Sequence, residues 1–276
     1  MKRFENEYEG IAGLKIYYQY WLPDNPKAVL LIVHGFAEHS GRYMNVVKEL
    51  IPLGYAIYAN DHRGHGKSEG IRNYVDSFDQ YIEDEKKLYD IIGQQHPDLP
   101  IFMLGHSMGS TIALYFTKKY EHLLKGLILS GVGTDVGGGG VSLLKVVSKF
   151  SEENPTMEIP PNLNAEFLSH DPEVVKAYQT DPLVNADKIT ARLAFEFFNS
   201  LKNVESFVKD LKIDLLVQSG SEDKLITGSE KLENLFMMGD KTIIIYEGLY
   251  HEVYNEVEQE RKKVLTDLRN WLEKHN

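Results

Sequence analysis

The sequence contains no cysteine. That absence excludes disulfides, thiolate metal sites and cysteine nucleophiles, and it fits a reducing compartment. No run of Lys or Arg stands out, and the formal net charge is −11. Such a balance argues against nucleic acid as a partner. It also disfavours anionic membranes on average, although a local apolar patch can still dock on lipid. No apolar run is long enough to span a bilayer. The charged opening, Met1-Lys-Arg-Phe-Glu-Asn-Glu7, lacks the apolar stretch of a signal peptide. The expectation is a cytoplasmic protein with at most peripheral membrane contact. What remains is ordinary globular composition: 276 residues, 42% hydrophobic and 26% charged. That is enough for one large α/β domain, or a core plus an insertion.

The chain is organised around Ile101-Phe-Met-Leu-Gly105-His106-Ser107-Met108-Gly109-Ser110. Its first four residues read as a short buried strand. After Gly109 the pattern becomes helical, with Ile112, Phe116 and Tyr120 at helical spacing. Between the two sits G-x-S-x-G. A serine at such a strand-to-helix turn needs glycine on both sides, because side chains there collide with strand and helix. The turn lifts the hydroxyl off the sheet edge and sets the following N–H groups at a helix N-terminus, where developing negative charge is favoured. Ser107 is the candidate nucleophile.

Around it, strands and helices alternate. Phe4 to Glu9 and Leu14 to Trp21 read as an antiparallel hairpin. Ala28–Val33, Tyr55–Ala59, Ile101–Leu104 and Gly126–Ser130 read as buried strands. Helices are expected over Tyr43–Leu50 and Phe78–Gln95. This alternation predicts a mainly parallel, doubly wound sheet, with functional residues beyond the carboxyl ends of its strands. The rhythm breaks from Asp135 to about Ser200, which has no clear strand. It carries Gly137–Gly140, Pro155, Pro160-Pro161, and apparent helix starts at Asp171-Pro172 and Asp181-Pro182. Val141, Leu143, Leu144, Val146, Val147 and Phe150 look exposed. We expect an inserted helical cap over 135–200, with a core formed by 1–134 and 201–276. The glycine run reads as a hinge or a plain loop. The core pattern resumes with strands at Leu215–Ser219 and Lys241–Tyr246, a helix over Ser229–Met237 and a final helix over Val253–Lys274. Val257, Val264, Leu268 and Leu272 fall on one face of that final helix.

A serine hydroxyl needs a base to remove its proton, and the base needs an acid to orient it. Asp223 follows one strand in Gly220-Ser-Glu-Asp223, and His251 follows the last strand in Tyr250-His251-Glu. Among ten histidines, His34 and His106 sit inside tight turns, and His62 and His65 lie in a glycine-rich loop whose shape they hold. His275 lies in the frayed terminus. Asp61 reads as a turn carboxylate that ties down backbone N–H groups. The oxyanion donors are expected to be the N–H groups of Met108 and Phe36. The spacings H-E-x-x-H and H-x-H-x-D-H are missing, so no metal is expected. The proposed chemistry needs no cofactor.

Several stretches together resemble the monoacylglycerol lipase family of α/β-hydrolases, which is grouped with lysophospholipase-like esterases. They are His34-Gly-Phe-Ala-Glu-His-Ser-Gly-Arg-Tyr43, Asp61-His-Arg-Gly-His-Gly-Lys-Ser-Glu-Gly70, Gly105-His-Ser-Met-Gly109, Tyr178-Gln-Thr-Asp-Pro-Leu183, Gly220-Ser-Glu-Asp223 and Tyr250-His251. They extend from about residue 10 to the final helix. The family often has Gly after the pentapeptide, where this chain has Ser110. The resemblance implies the α/β-hydrolase fold and a serine hydrolase with an apolar lid, acting on monoacylglycerols or similar single-chain esters. It also implies that Glu38, Arg42, His106 and Tyr178 border a polar, glycerol-side pocket. A lysophospholipase or broad carboxylesterase would use the same serine, acid and base. A non-catalytic binding protein on this fold is expected to lack at least one of them.

Overall fold

The computed structural model describes residues 1–137, 143–161, 163–234 and 241–276. Gly138, Gly139 and Gly140 of the expected hinge lie outside the described residues, as do Val141 and positions 235–237 of the expected helix.

β1 (Lys2–Glu9) and β2 (Lys15–Leu22) form the expected antiparallel hairpin, with Tyr8 opposite Ile16. β3 (Ala28–Val33), α1 (Met44–Leu50), β4 (Tyr55–Asn60), α2 (Asp79–Gln95), β5 (Ile101–His106), α3 (Met108–Tyr120) and β6 (Gly126–Ser130) then alternate along the chain. The segment that follows holds β7 (Asp135–Val136), α4 (Leu144–Glu153), β8 (Glu158–Ile159), α5 (Pro172–Thr180), β9 (Ile189–Thr190) and α6 (Ala191–Leu201). α7 (Val204–Asp210), β10 (Leu215–Gly220), β11 (Ile226–Thr227), β12 (Lys241–Tyr246) and α8 (Glu258–His275) complete the chain. One eight-stranded sheet runs in the order β1-β2-β4-β3-β5-β6-β10-β12. β1 to β2 and β2 to β4 are antiparallel, and the remaining pairs are parallel.

The central strands are apolar throughout because helices cover both faces. Val29, Leu31 and Val33 pack with Leu88, Ile112 and Phe116 from α2 and α3. Leu30 and Ile32 point the other way, onto Val46 and Leu50 of α1 and Val264, Leu268 and Leu272 of α8. Each fully buried Leu or Ile here contributes about 2 kcal/mol. The rigid centre of the sheet thus fixes where the carboxyl ends of β3, β5, β6, β10 and β12 lie.

Four sequence expectations are corrected. Segment 135–200 does contain strands: β7 pairs with β11 and β8 with β9, each through two residues. Two-residue ladders are too short to imprint an alternating pattern. No helix starts at Asp181-Pro182. The Asp181 carboxylate instead accepts the Leu183 N–H at 2.8 Å and pairs with His39 at 3.0 Å, closing a turn. Val257 is exposed and sits just before α8, off the face formed by Val264, Leu268 and Leu272. His275 is not frayed: it is buried, stacks on Trp271 and bonds to its carbonyl. Over 229–234 the chain forms a 3₁₀ helix.

Candidate active site

β5 ends at His106 and α3 begins at Met108, so Ser107 alone makes the turn. Its backbone holds φ 55° and ψ −122°, a conformation non-glycine residues seldom adopt. The approach of strand and helix is close. A Cβ on Gly105 would lie 2.4 Å from the Gly109 carbonyl, and one on Gly109 would lie 2.1 Å from the Val33 carbonyl. Neither position can carry a side chain. The Ser107 N–H donates to Ser130 O at 2.9 Å. Ser110 places its hydroxyl between the Gly105 and Ser130 carbonyls at 2.8 and 2.7 Å, so it braces the same turn.

Asp223 lies just past β10 and His251 just past β12. Asp223 Oδ1 accepts the Leu225 and Ile226 N–H groups at 2.9 and 3.0 Å. Oδ2 accepts His251 Nδ1–H at 2.7 Å. A carboxylate so placed keeps the proton on Nδ1 and leaves Nε2 as the acceptor. Burial alone raises an aspartate's pKa, but the His251 imidazole outweighs it and holds Asp223 below its ordinary value. Burial likewise opposes charge on His251, yet the Asp223 carboxylate wins and raises the imidazole. Ser107 and His251 line one cavity of about 430 Å³. Among the described residues Ser107 Oγ has no hydrogen-bond partner. The N–H groups of Phe36 and Met108 likewise find no acceptor there.

Glu38, Arg42, His106 and Tyr178 also come together. Arg42 Nη1 donates to Glu38 at 2.9 Å, and both terminal nitrogens grip Glu252 at 2.6 and 2.9 Å. The guanidinium lies 4.7 Å over the Tyr178 ring. Glu38 further accepts the Gly35 N–H and the Tyr43 hydroxyl, each at 2.7 Å. Arg42 and Glu38 are therefore committed to each other and to the scaffold. Tyr178, whose buried hydroxyl has no partner among the described residues, and His106 are the members left to meet a ligand. They border a small recess beside Ser107 and His251, which Leu163 and Leu168 also line. Burial, then the nearby His251 ring, depress the His106 pKa to about 4, so it stays neutral.

Glu252 and Glu256 were not legible as site residues. Glu252 adjoins His251 and helps to raise its pKa; its position beside the candidate base was the available signal. Glu256 is fully buried and accepts the Tyr250 and His170 N–H groups at 2.9 and 3.0 Å. Its partner His170 is 86 residues away, so no local pattern marks it. Asp61 accepts the Ser40 and Lys67 N–H groups at 2.8 Å each, as a turn carboxylate does. Among the described residues no group of three or more His, Asp or Glu side chains could hold a metal ion.

The family model described as Serine aminopeptidase, S33 matches residues 24–258. The monoacylglycerol lipase of Mycolicibacterium smegmatis is 37% identical, over 99% of this chain and 98% of its own. Monoglyceride lipase of Homo sapiens is 30% identical, over 94% of this chain and 87% of its own. Among solved structures, a thermostable carboxyl esterase from Bacillus coagulans in complex with glycerol superposes with a TM-score of 0.89 at 24% identity, covering 100% of this chain and 99% of that one. A monoacylglycerol lipase of Paleococcus ferrophilus gives 0.84 at 24% identity, with both chains covered completely. Those two structures share the α/β-hydrolase fold seen here. With the family model spanning most of the chain and two lipases aligned along nearly all of it, this protein belongs to the serine aminopeptidase S33 family of serine hydrolases, together with the monoacylglycerol lipases it resembles.

Proposed function

We propose that the protein hydrolyses monoacylglycerols to fatty acid and glycerol through an acyl-enzyme on Ser107. His251 Nε2 takes the Ser107 proton as Oγ attacks the ester carbonyl. The Phe36 and Met108 N–H groups hold the resulting oxyanion. His251 returns the proton to the leaving glycerol oxygen, and water then repeats the sequence to release the acid. Asp223 holds the tautomer throughout. Ser107 has to turn toward Nε2 for the first step; such bonds often tighten only once substrate is bound.

The observation that carries the substrate is the asymmetry of the space around Ser107. On one side the cavity is walled by Phe36, Leu163, Ile189, Phe197, Phe198 and Ile226, a surface for an acyl chain. On the other, Tyr178 and His106 offer polar groups to a small alcohol. An aminopeptidase would instead need a carboxylate for the substrate's amino terminus, and among the described residues the cavity is lined by Lys224 but by no Asp or Glu. We take 135–200 as a lid over the core formed by 1–134 and 201–276. Leu143, Val146 and Phe150 stand exposed along one face of α4, flanked by Lys145 and Lys149; this face is our candidate for peripheral contact with lipid. No described helix is long and apolar enough to cross a membrane. The absence of cysteine fits the reducing cytoplasm, where we place the enzyme.

A substrate panel tests the reading. We expect turnover of monoacylglycerol well above that of diacylglycerol, lysophospholipid or an aminoacyl amide. Preference for the lysophospholipid or the amide would refute the assignment.

A further inference from the structure

Behind the turn that carries Phe36 lies a buried polar wall. Three backbone groups of that turn are held by side chains. The His34 carbonyl accepts His62 Nε2–H at 2.9 Å, the Gly35 carbonyl accepts His34 Nδ1–H at 2.7 Å, and the Gly35 N–H donates to Glu38. His62 also donates its own backbone N–H to His34 Nε2 at 2.9 Å, and the two rings lie 3.9 Å apart. Burial, with His62 and His65 alongside, pushes the His34 imidazole well down, so its Nε2 remains an acceptor. The Phe36 N–H is the group this wall leaves over. A donor fixed by tied neighbours costs no reorganisation when charge develops opposite it.

The His62 ring is the strut of this arrangement. A carbonyl only accepts, so the proton facing His34 must sit on His62 Nε2. On the far side of the ring, Nδ1 stands 3.3 Å from Oε1 of Glu85, which projects from α2 and is 0% exposed. That is within pairing distance but outside hydrogen-bond geometry. Among the described residues neither carboxyl oxygen of Glu85 has a hydrogen-bond partner. A buried carboxyl in this condition costs stability, and an apolar side chain would pack there more favourably. The pair is neutral overall when it holds one shared proton. With that proton on Nδ1 or on the carboxyl, Nε2 keeps its own and the bond to His34 O survives.

We propose that Glu85 is a positioning residue which, through His62, holds the His34-Gly35-Phe36 turn so that the Phe36 N–H faces the oxyanion. It touches no reacting atom, and it rests on the reading of Ser107 as nucleophile. Glu85→Leu removes the partner of Nδ1 while filling the space. Glu85→Gln keeps a donor for Nδ1. Glu85→Asp retracts the carboxyl beyond its reach.

The test uses the full chain, a short p-nitrophenyl ester and an alkyl boronic acid that mimics the tetrahedral adduct. We expect Glu85→Leu to lower kcat about tenfold and weaken the boronate by a similar factor. KM should stay within about twofold, and Tm should hold or rise. Glu85→Gln should recover most of the lost rate. A folded Glu85→Leu enzyme with wild-type kcat and wild-type boronate affinity overturns the inference. Where that variant does not fold, Glu85→Asp decides: loss beside an active Glu85→Gln supports it, and wild-type kcat overturns it. Absence of ester hydrolysis by the wild type would instead sink the reading of Ser107 itself.

Discussion

His251 is pulled in two directions. Burial resists its charged form, while Asp223, and beyond it Glu252 and Glu38, stabilise that form and leave its pKa above the ordinary imidazole value of 6.5. A base must be neutral to accept the Ser107 proton. Ester hydrolysis should therefore rise with pH through an apparent pKa above that value. The linked stability runs the other way. A raised folded-state pKa stabilises the fold fully below the unfolded value, and this contribution fades as pH climbs through the folded one. Asp223→Asn should move the acidic limb to lower pH and reduce kcat about 10⁴-fold. A wild-type limb at or below the ordinary value would contradict this charge arrangement. At this scale Ser107, Asp223 and His251 were legible because each follows a strand that periodicity locates. Glu85 was not. It lies in Glu83-Asp84-Glu85-Lys86-Lys87, which reads as a solvated run, although it falls between Ile82 and Leu88 on the buried stripe of α2.

The turn between β5 and α3 and the helix α4 are the two elements on which most depends. Glycine at 105 and 109 is a steric requirement there, so the pentapeptide and the apolar strand before it could be read together. Gly109→Ala should cost about 3 kcal/mol or prevent folding, because backbone must move to admit the methyl group. A variant with unchanged Tm and activity would mean the turn is looser than described. α4 is amphipathic in a different sense. Leu144 and Val147 are buried, whereas Val146 is 57% exposed beside Leu143 and Phe150. Sequence alone gave all these residues the same exposed look, because which side of an insert meets the core depends on contacts far along the chain. We expect Val146→Glu with Phe150→Glu to reduce co-sedimentation with phosphatidylcholine vesicles while hydrolysis of a short soluble ester persists. Unchanged vesicle binding would remove this face as the docking surface.

Across the whole molecule, hydrogen bonds fasten the insert to the core at several places. Asn73 Nδ2 donates to Asn185 O and Lys188 O at 2.6 and 2.7 Å, and Thr190 Oγ1 returns a bond to Asn73 O. The His251 and Glu252 N–H groups reach the Phe167 and Leu168 carbonyls at 3.4 and 2.8 Å. Asn73→Ala leaves two carbonyls unmet, so it should cost about 2 kcal/mol and lower Tm by roughly 5 °C. No change in Tm would mean these bonds are dispensable. The alternating core was readable from strand and helix periods, and so was the break at about 135. These fastenings were not, because they join groups far apart along the chain, 112 and 115 residues for the two Asn73 Nδ2 bonds.

The central claim is that Ser107 is the residue acylated during turnover. Peptide mapping after reaction with a fluorophosphonate measures it directly. The account predicts one adduct, on Ser107, with ester hydrolysis lost in proportion to labelling. An adduct on another residue, or hydrolysis that survives complete labelling of Ser107, would contradict it.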